Sequence, residues 1–230
     1  EPGDPRELSR RGPGGNGRTG QIINSSKAPT FPLIRLDFRP VNWLNFIYFH
    51  GFLKSDIPDS STYRSTSVEG RESISDIPKF IASHTLSFYI GEDVSISIGE
   101  SIVYSENVEP IYLIPVMFFR LADHYLSGEG SNTGDNAQLF FDASYRISPV
   151  NSKVYGSVFI DELSIEKVAE GENLSSIGYT VGSEFSDLII PNSAIIIEYS
   201  KIQPFVYTNS NDAQTYKSHN YQLGHWIGSN

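Results

Sequence analysis

Residues 136–147 read NAQLFFDASYRI, and the alternation in this stretch decides the fold class. Every second side chain is apolar or aromatic, from Ala137 to Ile147, and the intervening side chains are polar except for Phe140. A period of two residues is typical of a β-strand with one apolar and one polar face, because successive side chains of a strand point to opposite sides. The stretch therefore predicts a strand over residues 136–147.

The same alternation recurs along most of the chain, with short turns between the segments. The segments that share it are residues 31–40, 43–53, 83–90, 93–104, 152–163, 175–185 and 192–208. Short turns join neighbouring strands into antiparallel hairpins. The chain is therefore expected to be all-β, an antiparallel up-and-down sheet of about nine strands with no convincing amphipathic helix.

Two stretches depart from this pattern. Residues 55–80 are rich in Ser, Asp, Pro and Arg, and they predict a long polar loop. Residues 111–119 (IYLIPVMFF) are apolar at nearly every position and contain Pro115, which favours a sheet edge, a bulge or a helical turn.

The composition excludes several function classes. The 230 residues include no Cys, so disulfides, Cys-ligated zinc and a thiol nucleophile are ruled out. The net charge of −10 argues against nucleic acid as a partner, because phosphate binding needs clustered Lys and Arg. No P-loop or dinucleotide-binding pattern occurs, and we expect no cofactor and no metal.

The chain divides into a head and a β-rich body. Residues 1–28 are rich in Gly, Pro and Arg without apolar periodicity, and we expect a disordered or vector-derived segment. Residues 29–230 contain the strands, which fit either a soluble β-sandwich or a membrane β-barrel with apolar side chains facing lipid. The predicted strands, of about nine to thirteen residues, suit a barrel better than a sandwich, because a strand needs about 9–11 residues to cross a bilayer at a tilt. The ragged ends of the chain suggest a partial barrel, cut from a longer one.

The closing segment, residues 207–230 (YTNSNDAQTYKSHNYQLGHWIGSN), resembles the capsule assembly protein Wzi family. In that family a tyrosine-rich strand precedes a segment like G-x-P-L-G-H-x-L-G-x-x-S-D. The matching positions are Leu223, Gly224, His225, Ile227, Gly228, Ser229 and Asn230, while Gln222 replaces the proline. Further likenesses follow in the same order along residues 84–104, 111–119, 134–147 and 154–163.

This resemblance spans roughly residues 31–230 and implies an outer-membrane β-barrel of about twice this number of strands. It also implies that the protein resides in the bacterial outer membrane and takes part in the attachment or assembly of capsular or other surface polysaccharide. The expected partners are the polysaccharide and outer-membrane lipid. The expected action is lectin-like and non-catalytic.

Seven residues are candidates for contact with the glycan. Five are charged residues on polar strand faces, where they would point into a barrel lumen or into water: Arg35, Asp37, Arg39, Asp142 and Arg146. Charge pairing across strands is the plain alternative role for them. The other two, His225 and Trp226, lie in the closing segment, and Trp226 suits either sugar stacking or the aromatic girdle of a barrel. Trp43, Tyr104 and Tyr207 suit the same girdle.

Three other functions remain open from the residues alone. Asp37, Asp142 and the pair Asp161–Glu162 could supply two carboxylates for glycoside hydrolysis. A soluble sandwich could bind carbohydrate, and a barrel could act as a general porin. Asp123–His124 lacks the Gly-x-Ser-x-Gly elbow that would accompany a hydrolase triad.

Overall fold

The computed structural model describes residues 21–65, 72–127, 135–161 and 176–228. Eight strands form one antiparallel sheet in which each strand pairs with its sequence neighbours. The strands are β1 (Leu33–Val41), β2 (Leu44–Ser65), β3 (Glu72–Ile90), β4 (Val94–Ser105), β5 (Asn136–Ile147), β6 (Ser152–Asp161), β7 (Ile177–Ser186) and β8 (Ala194–Ile202). The expected all-β, antiparallel up-and-down order is confirmed. Among the described residues the sheet stays open, with β1 and β8 as its two edges.

The other elements are short. One α-helix, α1 (Phe119–Ser127), follows a 3-10 turn at Pro110–Leu113. Two further 3-10 turns lie at Ser148–Val150 and Asp212–Gln214, and a two-stranded ribbon joins β9 (Lys217–Ser218) to β10 (Tyr221–Gln222). Residues 111–119 are therefore turns leading into a helix, as Pro115 allows, and not a sheet strand.

The polar stretch at residues 55–80 is not the long loop that its composition predicted. Strands β2 and β3 run on through it to Ser65 and from Glu72, with irregular register after Lys54. This extension pairs only β2 with β3, because β1 reaches no further than Gly51 and β4 ends opposite Lys79. No other strand of the sheet lies beside this extension, and the ribbon meets it through polar groups, as in the His219–Asp56 ion pair, so no apolar alternation is needed there.

The two longest connections lie at the same end of the sheet. The links β1–β2, β3–β4, β5–β6 and β7–β8 take from two to seven residues, and they lie together at one end of the sheet, here named the turn end. The links β2–β3, β4–β5 and β6–β7 take six, 30 and 15 residues, and they lie at the opposite end, here named the loop end, where the chain also leaves β8. Residues 162–175, expected to be a loop, fall outside the described residues.

The two faces of the sheet differ in polarity in an unusual direction. One face carries apolar side chains that remain 39–63% exposed: Ile98, Phe141, Tyr145, Val154, Val181, Ile197 and Tyr199. The opposite face carries polar side chains that are at most 7% exposed: Ser83, Ser101, Gln138, Asp142, Ser157 and Thr180. We name these the apolar face and the polar face. Soluble sheets normally bury the apolar one.

Two buried clusters cover the loop end, one on each face. On the apolar face, residues 110–127, here named the lid segment, bury Tyr112, Phe119 and Ala122 against the sheet. On the polar face, residues 203–228, here named the inner segment, bury Val206, Tyr207, Tyr216 and Leu223 against strands β2 to β6.

Residues 21–28 join the inner segment on the polar face. Ile22 and Ile23 are buried in the same cluster as Tyr207, and Ser25 donates its backbone N–H to the carbonyl of Leu223. The disorder expected for residues 1–28 therefore does not extend to this part of the head. Residues 1–20 lie outside the described residues.

Candidate functional site

The charged residues of β1 lie on an exposed edge strand. Arg35 forms a two-pronged ion pair with Asp37, with both N–O distances at 2.8 Å. Arg39 donates to the carbonyl of Asn42 at 2.7 Å and lies over the ring of Tyr89. All of β1 is exposed on both faces. These three residues thus pair locally along the strand and the turn that follows it.

Asp142 and Arg146 share β5 but differ in burial. Asp142 is 7% exposed and accepts a hydrogen bond from Ser157 on β6 at 2.5 Å. Arg146 is exposed near the turn end. Since β5 lies four strands from β1, and strands are about 4.8 Å apart, about 19 Å of sheet separates these residues from the β1 group. The two groups do not form one site.

Asp142 belongs to a row of small polar side chains that crosses the sheet. Successive registers align one residue from each of seven strands on the polar face: Asn45, Ser87, Ser97, Asp142, Ser157, Thr180 and Ser200. Ser97 donates to Ser87 at 2.8 Å, and Thr180 and Ser200 share a hydrogen bond of 2.8 Å. We name this the hydroxyl row. Six of its side chains bond in three neighbouring pairs, Ser87–Ser97, Asp142–Ser157 and Thr180–Ser200, which offsets the cost of placing polar groups on this face.

The inner segment is fixed at Tyr207. The Tyr207 hydroxyl donates to the carbonyl of Ile22 at 2.5 Å and accepts from the N–H of His225 at 3.1 Å. The Tyr207 N–H donates to the Asp161 carboxylate at 2.5 Å. Complete burial raises the pKa of Tyr207 far above its ordinary value, so the hydroxyl stays protonated and able to donate.

Asp135 ties the inner segment to the lid segment. Its carboxylate accepts from the Tyr112 hydroxyl at 2.8 Å and from the Gln214 side-chain amide at 2.9 Å. Burial raises the pKa of Asp135 to about 6, while the Tyr112 hydrogen bond acts in the opposite direction. The Asp135 carboxylate therefore links the lid segment on the apolar face to the inner segment on the polar face at the loop end.

His225 and Trp226 lie together in the inner segment. Their rings stack with centroids 5.9 Å apart, and the Lys27 ammonium lies 4.9 Å from the centre of the Trp226 ring. His225 is 1% exposed, whereas Trp226 is 56% exposed. Burial lowers the pKa of His225, with Glu198 raising it and Lys27 lowering it further, so the ring is neutral at pH 7.

Tyr155 and Glu198 complete this group on the sheet. The Tyr155 hydroxyl donates to Glu198 at 2.6 Å. Gly182, between them in the register, leaves room for the ring, since a Cβ there would come within 2.5 Å of Tyr155. We name Lys27, Tyr155, Glu198, His225 and Trp226 the inner cluster. It is the best candidate for a functional site in the described chain.

Sequence reasoning found two members of the inner cluster and missed three. Tyr155 and Glu198 occupy polar-face positions of their strands, which the alternation does reveal, but nothing in the sequence shows that they meet. Lys27 lay in the segment expected to be disordered. Tyr104 and Tyr207, expected in a girdle, are instead fully buried.

The described residues form neither a metal-binding cluster nor a closely spaced pair of Asp142 and Asp161 carboxylates. No group of three or more His, Asp or Glu side chains within them could hold a metal ion. Asp161 opposes Gln138, four residues along β5 from Asp142, which places these two carboxylates about 14 Å apart. Glycoside hydrolysis needs carboxylates about 5–9.5 Å apart. Glu162 lies outside the described residues.

The helices of the described chain include none long and apolar enough to cross a membrane. In comparisons with known proteins, no protein-family model, no curated protein and no solved structure matches this chain.

Proposed function

We propose that this chain forms part of an outer-membrane β-barrel that holds capsular or other surface polysaccharide at the bacterial cell surface, without catalysing a reaction. The barrel would serve as the anchor, and polar and aromatic side chains would hold the glycan. The single observation that carries the membrane part is the reversed polarity of the sheet.

That reversal is what a lipid environment requires. In an outer-membrane barrel, apolar side chains face the acyl chains and polar side chains face the lumen. Here Val181 and Ile197 are exposed while Ser157 and Thr180 are buried. In water, an exposed apolar face of this extent would favour association or aggregation.

The exposed apolar surface continues beyond the sheet at both ends. The lid segment covers the apolar face at the loop end and itself exposes Ile114, Val116, Phe118 and Leu121. The β7–β8 turn exposes Leu188, Ile189 and Ile190 at the turn end. An apolar belt that runs over both sheet and lid supports contact with lipid along the height of the molecule.

The connection lengths support the same proposal. Outer-membrane barrels have short turns on the periplasmic side and longer loops on the outside. The two longest links of this sheet, β4–β5 and β6–β7, lie at the loop end, while the β2–β3 link there is as short as those at the turn end. On this proposal the loop end, with the lid and inner segments, faces the cell exterior, where polysaccharide is.

The proposal requires partners for β1 and β8. A bilayer offers no water to satisfy the backbone groups of an open edge, so a spanning sheet must close. Both edge strands direct apolar side chains, such as Leu36 and Ile197, to the same face. Additional strands could thus join either edge and continue the apolar belt.

Two observations favour polysaccharide attachment over the rival functions. The inner segment packs on the polar face at the loop end, the face that would line a barrel lumen, which works against a general diffusion pore. The separation of Asp142 and Asp161 works against a glycosidase built on that pair. The polysaccharide itself is suggested by the resemblance of residues 207–230 to the Wzi family.

The membrane part is tested by fractionating cells that express the full-length protein. We expect it in the outer-membrane fraction, with faster gel mobility unboiled than boiled, because closed barrels resist denaturation by detergent. Recovery in the soluble fraction with no mobility shift would contradict the proposal and favour a soluble sheet.

The polysaccharide part is tested in the same organism. A deletion strain should shed surface polysaccharide into the medium, and complementation with the intact gene should restore it to the cell. Unchanged cell-bound polysaccharide in the deletion strain would rule out a role in attachment.

A further inference from the structure

The inner cluster contains a buried donor without a partner. The Nδ1 atom of His225 accepts from the N–H of Ile227 at 3.3 Å, so the ring proton lies on Nε2. His225 Nε2 has no hydrogen-bond partner although the side chain is 1% exposed. Buried polar groups are nearly always satisfied, so this donor is an exception that calls for a functional explanation.

Next to this donor lies an exposed aromatic surface. Trp226 stacks on His225 with an angle of 22° between the rings and leaves more than half of its side chain open. An aromatic ring held in place from behind presents a flat apolar surface at little cost in conformational entropy. The C–H face of a pyranose ring matches such a surface.

The cluster also contains a cation, Lys27, for which the described residues supply no ion pair. The Lys27 ammonium lies over the Trp226 ring. A carboxylate brought beside the Trp226 ring would meet this ammonium and gain a charge-assisted hydrogen bond.

Glu198 supplies a hydrogen-bond acceptor for the hydroxyl groups of a sugar. Its carboxylate is oriented by the Tyr155 hydroxyl at 2.6 Å and lies close enough to His225 to influence it electrostatically. Carboxylate oxygens accept from neighbouring hydroxyl groups, which a sugar ring carries on adjacent carbons.

We infer that the inner cluster binds a carboxylate-bearing pyranose unit of a glycan, with the sugar ring against the exposed part of Trp226, its carboxylate on Lys27 and its hydroxyls on Glu198. The inference rests on the proposed function, since it names the class of glycan that the protein would hold. Binding is non-covalent and involves no catalytic step.

The test is isothermal titration of the purified full-length protein with two oligosaccharides. One alternates glucuronic acid and N-acetylglucosamine, and the other is a neutral maltooligosaccharide of equal length. We expect the acidic one to bind and the neutral one to bind at least about tenfold more weakly, as the loss of one charge-assisted hydrogen bond predicts. Equal binding of both, or no binding of either, would overturn the inference.

Variants locate the binding. Trp226→Ala and Lys27→Met should each weaken binding of the acidic oligosaccharide by about tenfold or more, and Lys27→Arg should largely restore it. Both side chains are exposed, so the fold should survive, and thermal unfolding checks this. Trp43→Ala is the matched control, because Trp43 is equally exposed but lies near the turn end, beside Phe88.

The outcomes separate this inference from the proposed function. If the protein is recovered in the outer-membrane fraction and Trp226→Ala binds the acidic oligosaccharide as the unchanged protein does, the inner cluster is not the binding site. The membrane proposal would then still hold. If acidic-glycan binding depends on Trp226 and Lys27 but the protein is recovered in the soluble fraction, the binding site is supported and the membrane proposal is contradicted.

Discussion

At the scale of the residue, Gly182 decides where Tyr155 can lie. A Cβ on Gly182 would come within 2.5–2.7 Å of three atoms at the end of the Tyr155 side chain. We expect Gly182→Ala to push this ring away from Glu198, break the 2.6 Å hydrogen bond and cost about 1–3 kcal/mol of stability. Denaturant unfolding of the purified variant measures the cost.

The control for this change lies on the neighbouring strand. A Cβ on Gly156 would meet nothing closer than 3.5 Å, which is ordinary contact. Gly156→Ala should therefore leave stability nearly unchanged. Equal effects of the two substitutions would show that the cost comes from glycine's backbone freedom and not from the Tyr155 ring.

At the scale of the element, the inner segment depends on one hydroxyl. Tyr207→Phe removes the group that donates to Ile22 and accepts from His225, and leaves two buried backbone groups without a partner. We expect a loss of about 1–3 kcal/mol. Hydrogen exchange should rise at residues 21–28 and 221–228 before it rises in the strands. Tyr221→Phe, whose side chain is exposed, should change neither quantity.

The sequence predicted the strands far better than the segments that cover them. Period-two alternation located β5 to its final residue, because one face of that strand is apolar along its length. It failed at residues 55–80, where β2 and β3 extend past their neighbours and no face needs to be apolar. It also failed for α1, since nine residues after a proline-containing turn give too short a helical pattern.

The inner cluster shows why sites are harder to predict than strands. Tyr155 and Glu198 meet through the register of β6, β7 and β8, while Lys27 and Trp226 arrive from segments 199 residues apart in the chain. No local pattern encodes that meeting, so His225 and Trp226 could be selected only by resemblance.

At the scale of the whole molecule, the surroundings of the apolar face determine what a charge there costs. Val181 is 50% exposed on this face in the interior strand β7. If the face contacts lipid, Val181→Arg should cost about 2–4 kcal/mol and lower recovery in the membrane fraction. If the face contacts water, the same change should stay within about 0.5 kcal/mol.

Leu188→Arg controls for the substitution itself. Leu188 is similarly exposed but lies in the β7–β8 turn, where an arginine in a membrane protein would reach the interface and cost about 0–1 kcal/mol. A large difference between the two variants supports a bilayer around the sheet. Two small and equal effects would point to water.

The contact between residues 21–28 and the inner segment has a consequence for the order of folding. Strands that are hydrogen-bonded neighbours in the sheet are also consecutive in the chain, so hairpins can form one after another as each strand is synthesised. The Tyr207–Ile22 bond instead joins positions 185 residues apart, and the Tyr216–Asn24 bond joins positions 192 apart. These bonds join residues 21–28 to the inner segment across the polar face of the sheet. The inner cluster takes Lys27 from one end of these contacts and Trp226 from the other, so we expect it to form after the sheet, at a late step of folding.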